Sequence, residues 1–243
     1  MTLDDITTLR TLGQGAFGRV KLCQHKVTGE CFALKCQSKK AIVRLKIQDN
    51  VINEMRLMRM VEHERIGKLY CALQDTRNIY FGGEFFTYLQ KVGRLSEAKA
   101  CFYAASVVSA YTALHGLKIA YRDLKPENMV LDSKVLFARN GSSCNFNLVR
   151  LQGFVKIVDL GLAKQIQSGK TWTMCGTPDY LGHDYSVDYW ALGVLIYEMV
   201  TGWPPFYADE PMKTYEKIVA CAVSFPVYIT RQLSDLVSKL LST

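Results

Sequence analysis

A chain of 243 residues, 49% of them apolar, can bury a sizeable core. Its net charge of +8 comes from scattered basic residues with no aromatic-interleaved patch, which argues against nucleic acid and for a solvated basic surface that also suits acidic or phosphate-bearing ligands. The eight cysteines form no CxxC pair and no Cys/His metal spacing, and there is no signal peptide, no apolar run of membrane-spanning length, no repeat and no low-complexity linker; the expectation is a cytoplasmic chain with reduced thiols and no membrane span.

The first informative element is Gly13-Gln14-Gly15-Ala16-Phe17-Gly18-Arg19-Val20. Glycines at this spacing let backbone N–H groups approach phosphate oxygens with no side chain in the way. Nucleotide-binding Rossmann folds use the same spacing, but there the glycines open a helix and an acidic residue follows about twenty positions later. Here Val20-Lys21-Leu22-Cys23-Gln24 continues as an alternating strand, Thr28-Gly29-Glu30 turns, and Cys31-Phe32-Ala33-Leu34-Lys35 forms a second strand that ends on a lysine. The glycines therefore sit in a β-hairpin, and the Rossmann reading loses.

Read alone, Lys35 is an ordinary surface lysine. The segment Val51-Ile52-Asn53-Glu54-Met55-Arg56-Leu57-Met58 then shows apolar residues at helical spacing (Val51, Met55, Met58). Glu54 falls beside that apolar face, points inward and needs a cationic partner, for which Lys35 is the natural candidate.

Farther along, Tyr121-Arg122-Asp123-Leu124-Lys125-Pro126-Glu127-Asn128 gathers a carboxylate (Asp123), an ammonium (Lys125) and a carboxamide (Asn128), and Asp159-Leu160-Gly161 adds a second carboxylate. That set can hold a metal-bound polyphosphate and draw a proton off an attacking hydroxyl. Pro126 stops a helix from running through the segment, so it reads as a rigid loop rather than a solvated charged face.

Glycine loop, Ala-x-Lys, helix Glu, Tyr-Arg-Asp-x-Lys-x-x-x-Asn and Asp-x-Gly, in this order, resemble the eukaryotic protein kinases from about Leu9 to Leu241. The resemblance implies an α+β, bilobal fold: a small antiparallel β-rich N-lobe with one main helix (1–84) and a larger, mainly helical C-lobe (85–243), C-terminally truncated. Within the C-lobe it implies a catalytic loop at 121–128, a metal motif at 159–161 and an activation segment at 159–181. Thr171-Trp172-Thr173-Met174-Cys175-Gly176-Thr177-Pro178 narrows the likeness to the cyclic-nucleotide-dependent branch of the AGC serine/threonine kinases. Gly182-His183-Asp184-Tyr185-Ser186-Val187-Asp188 and Pro211-Met212-Lys213-Thr214-Tyr215 look most like cGMP-dependent kinases, while other stretches suit cAMP-dependent ones equally.

The family's roles, carried onto matching positions, are these. The loop amides of Gly13, Gly15 and Gly18 would cover the ATP phosphates, and Leu12, Val20, Ala33 and Val130 would sandwich the adenine, with Glu84 at the edge of the nucleotide site. Lys35, paired to Glu54, would hold the α- and β-phosphates; Asn128 and Asp159 would hold Mg²⁺; Asp123 would accept the hydroxyl proton; Lys125 would steady the γ-phosphate. Positioning and charge neutralisation would supply most of the rate. Met58, Leu69, Tyr121 and Leu160 would stack as an apolar column between the lobes, anchored by Asp188. Thr173 would be the activating phosphosite, its phosphate clamped by Arg122. Thr177 would line the acceptor site, and Glu84, Glu127 and Glu198 would meet basic residues of a protein substrate. A cyclic-nucleotide-binding regulatory domain or subunit is the partner the branch implies.

Departures from the family are as specific. Asn78-Ile79-Tyr80-Phe81 runs directly into Gly82-Gly83-Glu84, which omits about six hinge residues; Tyr180-Leu181 joins Gly182-His183 with no Ala-Pro-Glu segment; residues 134–151 are surplus; and the chain stops at Ser242-Thr243. Two functions from different classes follow: a serine/threonine kinase using Mg·ATP, or a non-catalytic kinase-like domain, pseudokinase or product of mis-spliced exons, that binds partners.

Overall fold

A computed structural model describes residues 1–15, 18–83, 87–88, 94–131, 153–166 and 185–242. Its first half is an antiparallel five-stranded sheet of order β1-β2-β3-β5-β4. The strands are β1 (Ile6–Gly15), β2 (Gly18–His25), β3 (Cys31–Ser38), β4 (Leu69–Gln74) and β5 (Asn78–Gly83). The glycine loop is the β1–β2 hairpin, with Gly15 opposite Gly18 and Gly13 opposite Val20. At the next turn Gly29 takes φ +72°, a conformation that glycine adopts without steric penalty. Strand β3 runs past Lys35 to Ser38, so this lysine sits in mid-strand, opposite Phe81 of β5, rather than at a strand end. Strand alternation then sorts the side chains: Phe32 and Leu34 join Cys23 in a small core on one face, while Ala33 and Lys35 face a cleft.

Two helices cross from β3 to β4. Helix α1 (Lys39–Arg44) starts where the Ser38 hydroxyl accepts from the Ala41 amide, a serine N-cap. Helix α2 (Gln48–Met60) buries Val51, Glu54 and Leu57, one residue per turn on one side. Val51 packs with Ile42 and Phe81 under the sheet, and Leu57 reaches the large core of the second half.

The β4–β5 turn is held by one carboxylate. Asp75 accepts from the Arg77 amide (2.7 Å), the Asn78 amide (2.6 Å) and the Tyr80 hydroxyl (2.7 Å). These bonds, Tyr80's foremost, favour the ionised form and hold its pKa down to about 2. A depressed folded-state pKa contributes stability that is present above the unfolded aspartate range and is lost as pH falls towards 2. Asp75→Asn should therefore show a flatter loss of stability than the wild type between about pH 4 and 2, read as denaturation midpoints across that window.

The second half is mainly helical. Helix α3 (Glu97–Gly116), N-capped by Ser96, packs on α4 (Ser186–Thr201), most of whose residues are buried. Their facing residues, including Tyr111, Leu114, Leu195 and Tyr197, form the main core. Helix α4 stops at Gly202, whose φ of +91° makes the left-handed cap. Helices α5 (Pro211–Val219) and α6 (Arg231–Leu240) follow, α6 closing onto α4 where Gly193 leaves room for Leu240 and Leu241. Short strands complete it: β6 (Thr87–Tyr88), β8 (Met129–Leu131) and β9 (Val155–Ile157) form one sheet, and β7 (Ile119–Ala120) pairs with β10 (Lys164–Gln165).

Two predicted irregularities have a structural frame. Leu131 of β8 is directly opposite Val155 of β9, so the chain leaves and re-enters this sheet at adjacent positions; the surplus 134–151 lies outside the described residues. At the hinge, Gly83 is the last residue of the five-stranded sheet and Thr87 already pairs with Leu131. In the sequence, positions 84–86 separate these two paired residues.

Candidate active site

The apolar part of the cleft is built from both halves. Leu12, Val20 and Ala33 from the sheet, and Val130 from β8, line one cavity with Lys35, Glu54, Asn128 and Asp159. The two ends of the glycine loop differ. A Cβ on Gly13 would meet nothing within 4 Å, whereas one on Gly18 would fall 1.8 Å from the Cys36 carbonyl oxygen. Gly13 thus has open space beside it, and Gly18 is required by the close approach of β2 to β3.

At the back of the cleft, Lys35 Nζ donates to Glu54 Oε1 at 2.7 Å and to Asp159 Oδ2 at 3.0 Å. Sheet, helix α2 and the metal motif therefore meet on one ammonium. Burial alone would pull the Lys35 pKa down, but the Glu54 and Asp159 carboxylates outweigh it and hold the ammonium above the usual lysine range. Burial pushes the Glu54 carboxyl up, opposed by Lys35. Asp159 is also raised by burial, yet the Lys35 ion pair and the Gly161 amide (3.0 Å from Oδ1) leave it below the ordinary aspartate range. Asp159 thus brings a carboxylate to the wall of the cleft.

The catalytic-loop residues predicted from sequence converge beneath it. Lys125 Nζ lies 2.8 and 2.9 Å from the two Asp123 carboxylate oxygens. Asn128 Nδ2 donates to the Asp123 carbonyl (2.8 Å) and to Asp123 Oδ2 (2.7 Å). Pro126–Asn128 is a single 3₁₀ turn with the proline at its start, where a missing N–H does no harm. Asn128 and Asp159 offer the oxygen donors that a hard divalent ion such as Mg²⁺ prefers. Among the described residues no group of three His, Cys, Asp or Glu side chains is placed to hold a metal, so such an ion would complete its shell from phosphate oxygens and water, as Mg²⁺ commonly does.

The loop itself is fastened from α4. Asp188, fully buried, accepts from the Tyr121 amide (2.9 Å) and the Arg122 amide (2.8 Å), and its Oδ2 lies 2.7 Å from His115 Nε2. This anchorage holds an unusual backbone at Arg122, whose φ is +64°, a region costly for residues with a Cβ unless the surroundings hold it; Asp159 has a similar φ of +66°. Tyr121 and Leu160 are buried in the main core with Met58 against them, while Leu69 packs on the small core of Ile42, Val51 and Phe81. The Arg122 side chain is buried; its Nε donates to the Leu162 carbonyl (2.9 Å), and its Nη1 has no partner among the described residues.

Of the remaining sequence-predicted residues, Glu127 is exposed at the cleft and Glu198 sits half-buried in the last turn of α4. Glu84, Thr173 and Thr177 lie outside the described residues. Sequence reasoning missed three contacts: Asp159 as the second partner of Lys35, His115 on Asp188, and Asn53 of α2, whose Nδ2 donates to the Ala163 carbonyl at 2.9 Å. Each joins residues far apart in the chain, and no local pattern marks them.

Comparison with family models matches residues 6–243 to the protein kinase domain. Among individual proteins, the chain is 39% identical to the cAMP-dependent protein kinase catalytic subunit PRKX of Homo sapiens, over 99% of this chain and 66% of that protein. It is 40% identical to cGMP-dependent protein kinase 2 of Homo sapiens, over 97% of this chain and 31% of that protein. It is 39% identical to the cAMP-dependent protein kinase catalytic subunit of Schizosaccharomyces pombe, over 98% of this chain and 46% of that protein. The chain thus spans less than two thirds of these relatives, and its identity to the two kinds is level.

Proposed function

Because the chain belongs to the protein kinase family, we propose that it is a serine/threonine kinase of the cyclic-nucleotide-dependent type, transferring the γ-phosphate of ATP to hydroxyls of proteins with nearby basic residues. The observation that carries this is Lys35, bonded at once to Glu54 and to Asp159, with the Asp123–Lys125–Asn128 cluster below.

In this reading the lobes divide at 84/85 and the nucleotide lies between them. Leu12, Val20, Ala33 and Val130 enclose the adenine, and the amides around Gly13, Gly15 and Gly18 cover the phosphates. Lys35 draws the α- and β-phosphates towards the cleft floor. Asn128 and Asp159 hold Mg²⁺, which when bound neutralises charge on the phosphates. Asp123, bridged by Lys125 and Asn128, accepts the hydroxyl proton, and Lys125 faces the γ-phosphate. Thr177 lines the acceptor site, Glu84, Glu127 and Glu198 receive basic side chains, and Thr173 is phosphorylated, its phosphate meeting the buried Arg122. The setting is cytoplasmic, with a cyclic-nucleotide-binding domain or subunit as regulator.

A second reading, a non-catalytic kinase-like binding domain, is favoured by the short hinge, where only three positions of the sequence separate Gly83 of the first sheet from Thr87 of the second. Transfer of radiolabelled phosphate to a basic serine peptide, with Asp123→Ala as control, separates the two. The kinase reading expects transfer above the control by about 10²–10⁴-fold, the contribution of a positioned general base. Equal rates, with no thermal shift on Mg·ATP, would sink it in favour of the second.

A further inference from the structure

Asn53 occupies the interior of helix α2, where asparagine is a weaker helix former than alanine because its amide competes for backbone bonds. Its side chain is not spent locally. Nδ2 crosses to the Ala163 carbonyl at 2.9 Å, over a separation of 110 residues, and Ala163 is buried at 2% exposure. Ala163 lies four residues beyond Asp159, in a segment held from the other side by Arg122 Nε on the Leu162 carbonyl (2.9 Å). Neighbouring carbonyls of one segment are thus gripped by one side chain from α2 and one from the catalytic loop.

We propose that Asn53 is a positioning residue that makes helix α2 and the Asp159 segment move as one body. The proposal rests on the kinase reading for its catalytic consequence, though the mechanical coupling does not depend on it. Glu54 links α2 to Asp159 with side-chain atoms alone, through Lys35 and by direct contact of the two carboxyl groups, and Lys35 reaches its ammonium over four rotatable bonds. Those links, and the packing of Leu57 with Leu160 in one core, hold the pieces together without fixing α2 to the backbone of the segment. The bond from the adjacent residue, Asn53, to the backbone at Ala163 supplies that attachment. The distance between the phosphate-gripping lysine and the metal carboxylate is then set by backbone placement. Registration of this kind is what a reaction governed by positioning requires.

The test uses the full chain with Asn53→Asp, which keeps the shape and removes the donor, Asn53→Ala, and Ile52→Ala as a control on the exposed side of the same helix. A lost neutral hydrogen bond of this strength corresponds to about 2- to 12-fold. We expect backbone amides of residues 159–166 to exchange with deuterium faster by that factor in both Asn53 variants, with those of α4 unchanged. We also expect kcat to fall and the Mg²⁺ concentration for half-maximal activity to rise by a similar factor, with the peptide KM unchanged. Exchange at 159–166 that matches the wild type in both variants overturns the coupling, as does an equal rise across α4, which would make Asn53 a general stabiliser. Faster exchange with unaltered kcat and Mg²⁺ dependence overturns the catalytic role. Absence of transfer by the wild type would count against the kinase reading alone, since exchange still decides the coupling.

Discussion

Lys35→Met is expected to abolish measurable phosphate transfer and to make the fold less stable as pH rises. Methionine keeps the length of the stem but leaves Glu54, 3% exposed, and Asp159 facing each other with no cation between them. Removing one partner of a buried pair costs about 3–5 kcal/mol; the lower end applies here, because the Lys35 side chain is 29% and the Asp159 side chain 38% exposed and solvent screens part of the repulsion. The sign of the pH effect follows from Glu54. Its folded-state pKa already lies above the ordinary value, and loss of Lys35 raises it further. A carboxyl raised on folding destabilises once pH climbs past its unfolded value, so the variant should match the wild type best below about pH 4.5 and fall behind progressively above it. Urea midpoints from pH 4 to 8 report this, and parallel curves for the two proteins would contradict it. Transfer should drop by more than the roughly 10²-fold of a lost electrostatic contact, because in the proposed kinase the ammonium that braces Asp159 would also grip phosphate.

Asp188→Asn should be nearly as damaging, although Asp188 does not line the cleft. The carboxylate serves the Tyr121 amide, the Arg122 amide and His115 Nε2. An asparagine has one oxygen to offer and turns an NH₂ towards groups that need an acceptor. Leaving buried donors unmatched costs about 1–3 kcal/mol each, so a loss of about 3–5 kcal/mol in unfolding free energy is expected. The catalytic defect should exceed what stability explains. With its anchor gone, Arg122 need not hold its φ of +64°, and Asp123 follows immediately. A variant that is destabilised yet keeps wild-type kcat at low temperature would show that the anchor supports folding only.

What could be read in the sequence was what is local. Glycines followed by alternating strands gave the hairpin, the apolar spacing of Val51, Met55 and Met58 gave the helix that buries Glu54, and the proline in 121–128 marked a loop. The Lys35–Glu54 contact was also within reach, since a buried carboxylate demands a cation and the chain offers one at the right place. Legibility ended where a contact depends on how distant pieces pack. Nothing near Asn53 indicates Ala163, and nothing near His115 indicates Asp188. The end of β3 was misplaced because Cys36-Gln37-Ser38 lacks alternation, yet pairing with Ile79 and Asn78 of β5 extends it: the partner strand supplies what local preference does not. For Gly18 the structure adds a reason that the sequence did not show, the crowding of β2 against the Cys36 carbonyl.

The register of β8 against β9 carries one more consequence. Because Leu131 faces Val155 directly, whatever joins them begins and ends at the same spot, and the sheet is indifferent to how long the excursion is. Closure entropy grows only with the logarithm of length, about 0.6 kcal/mol per doubling. Evolution can therefore lengthen or trim this connection almost freely, without disturbing Asn128 and Asp159, which stand just outside the paired strands. It is a point at which this fold can acquire or shed sequence while Asn128 and Asp159 keep their places.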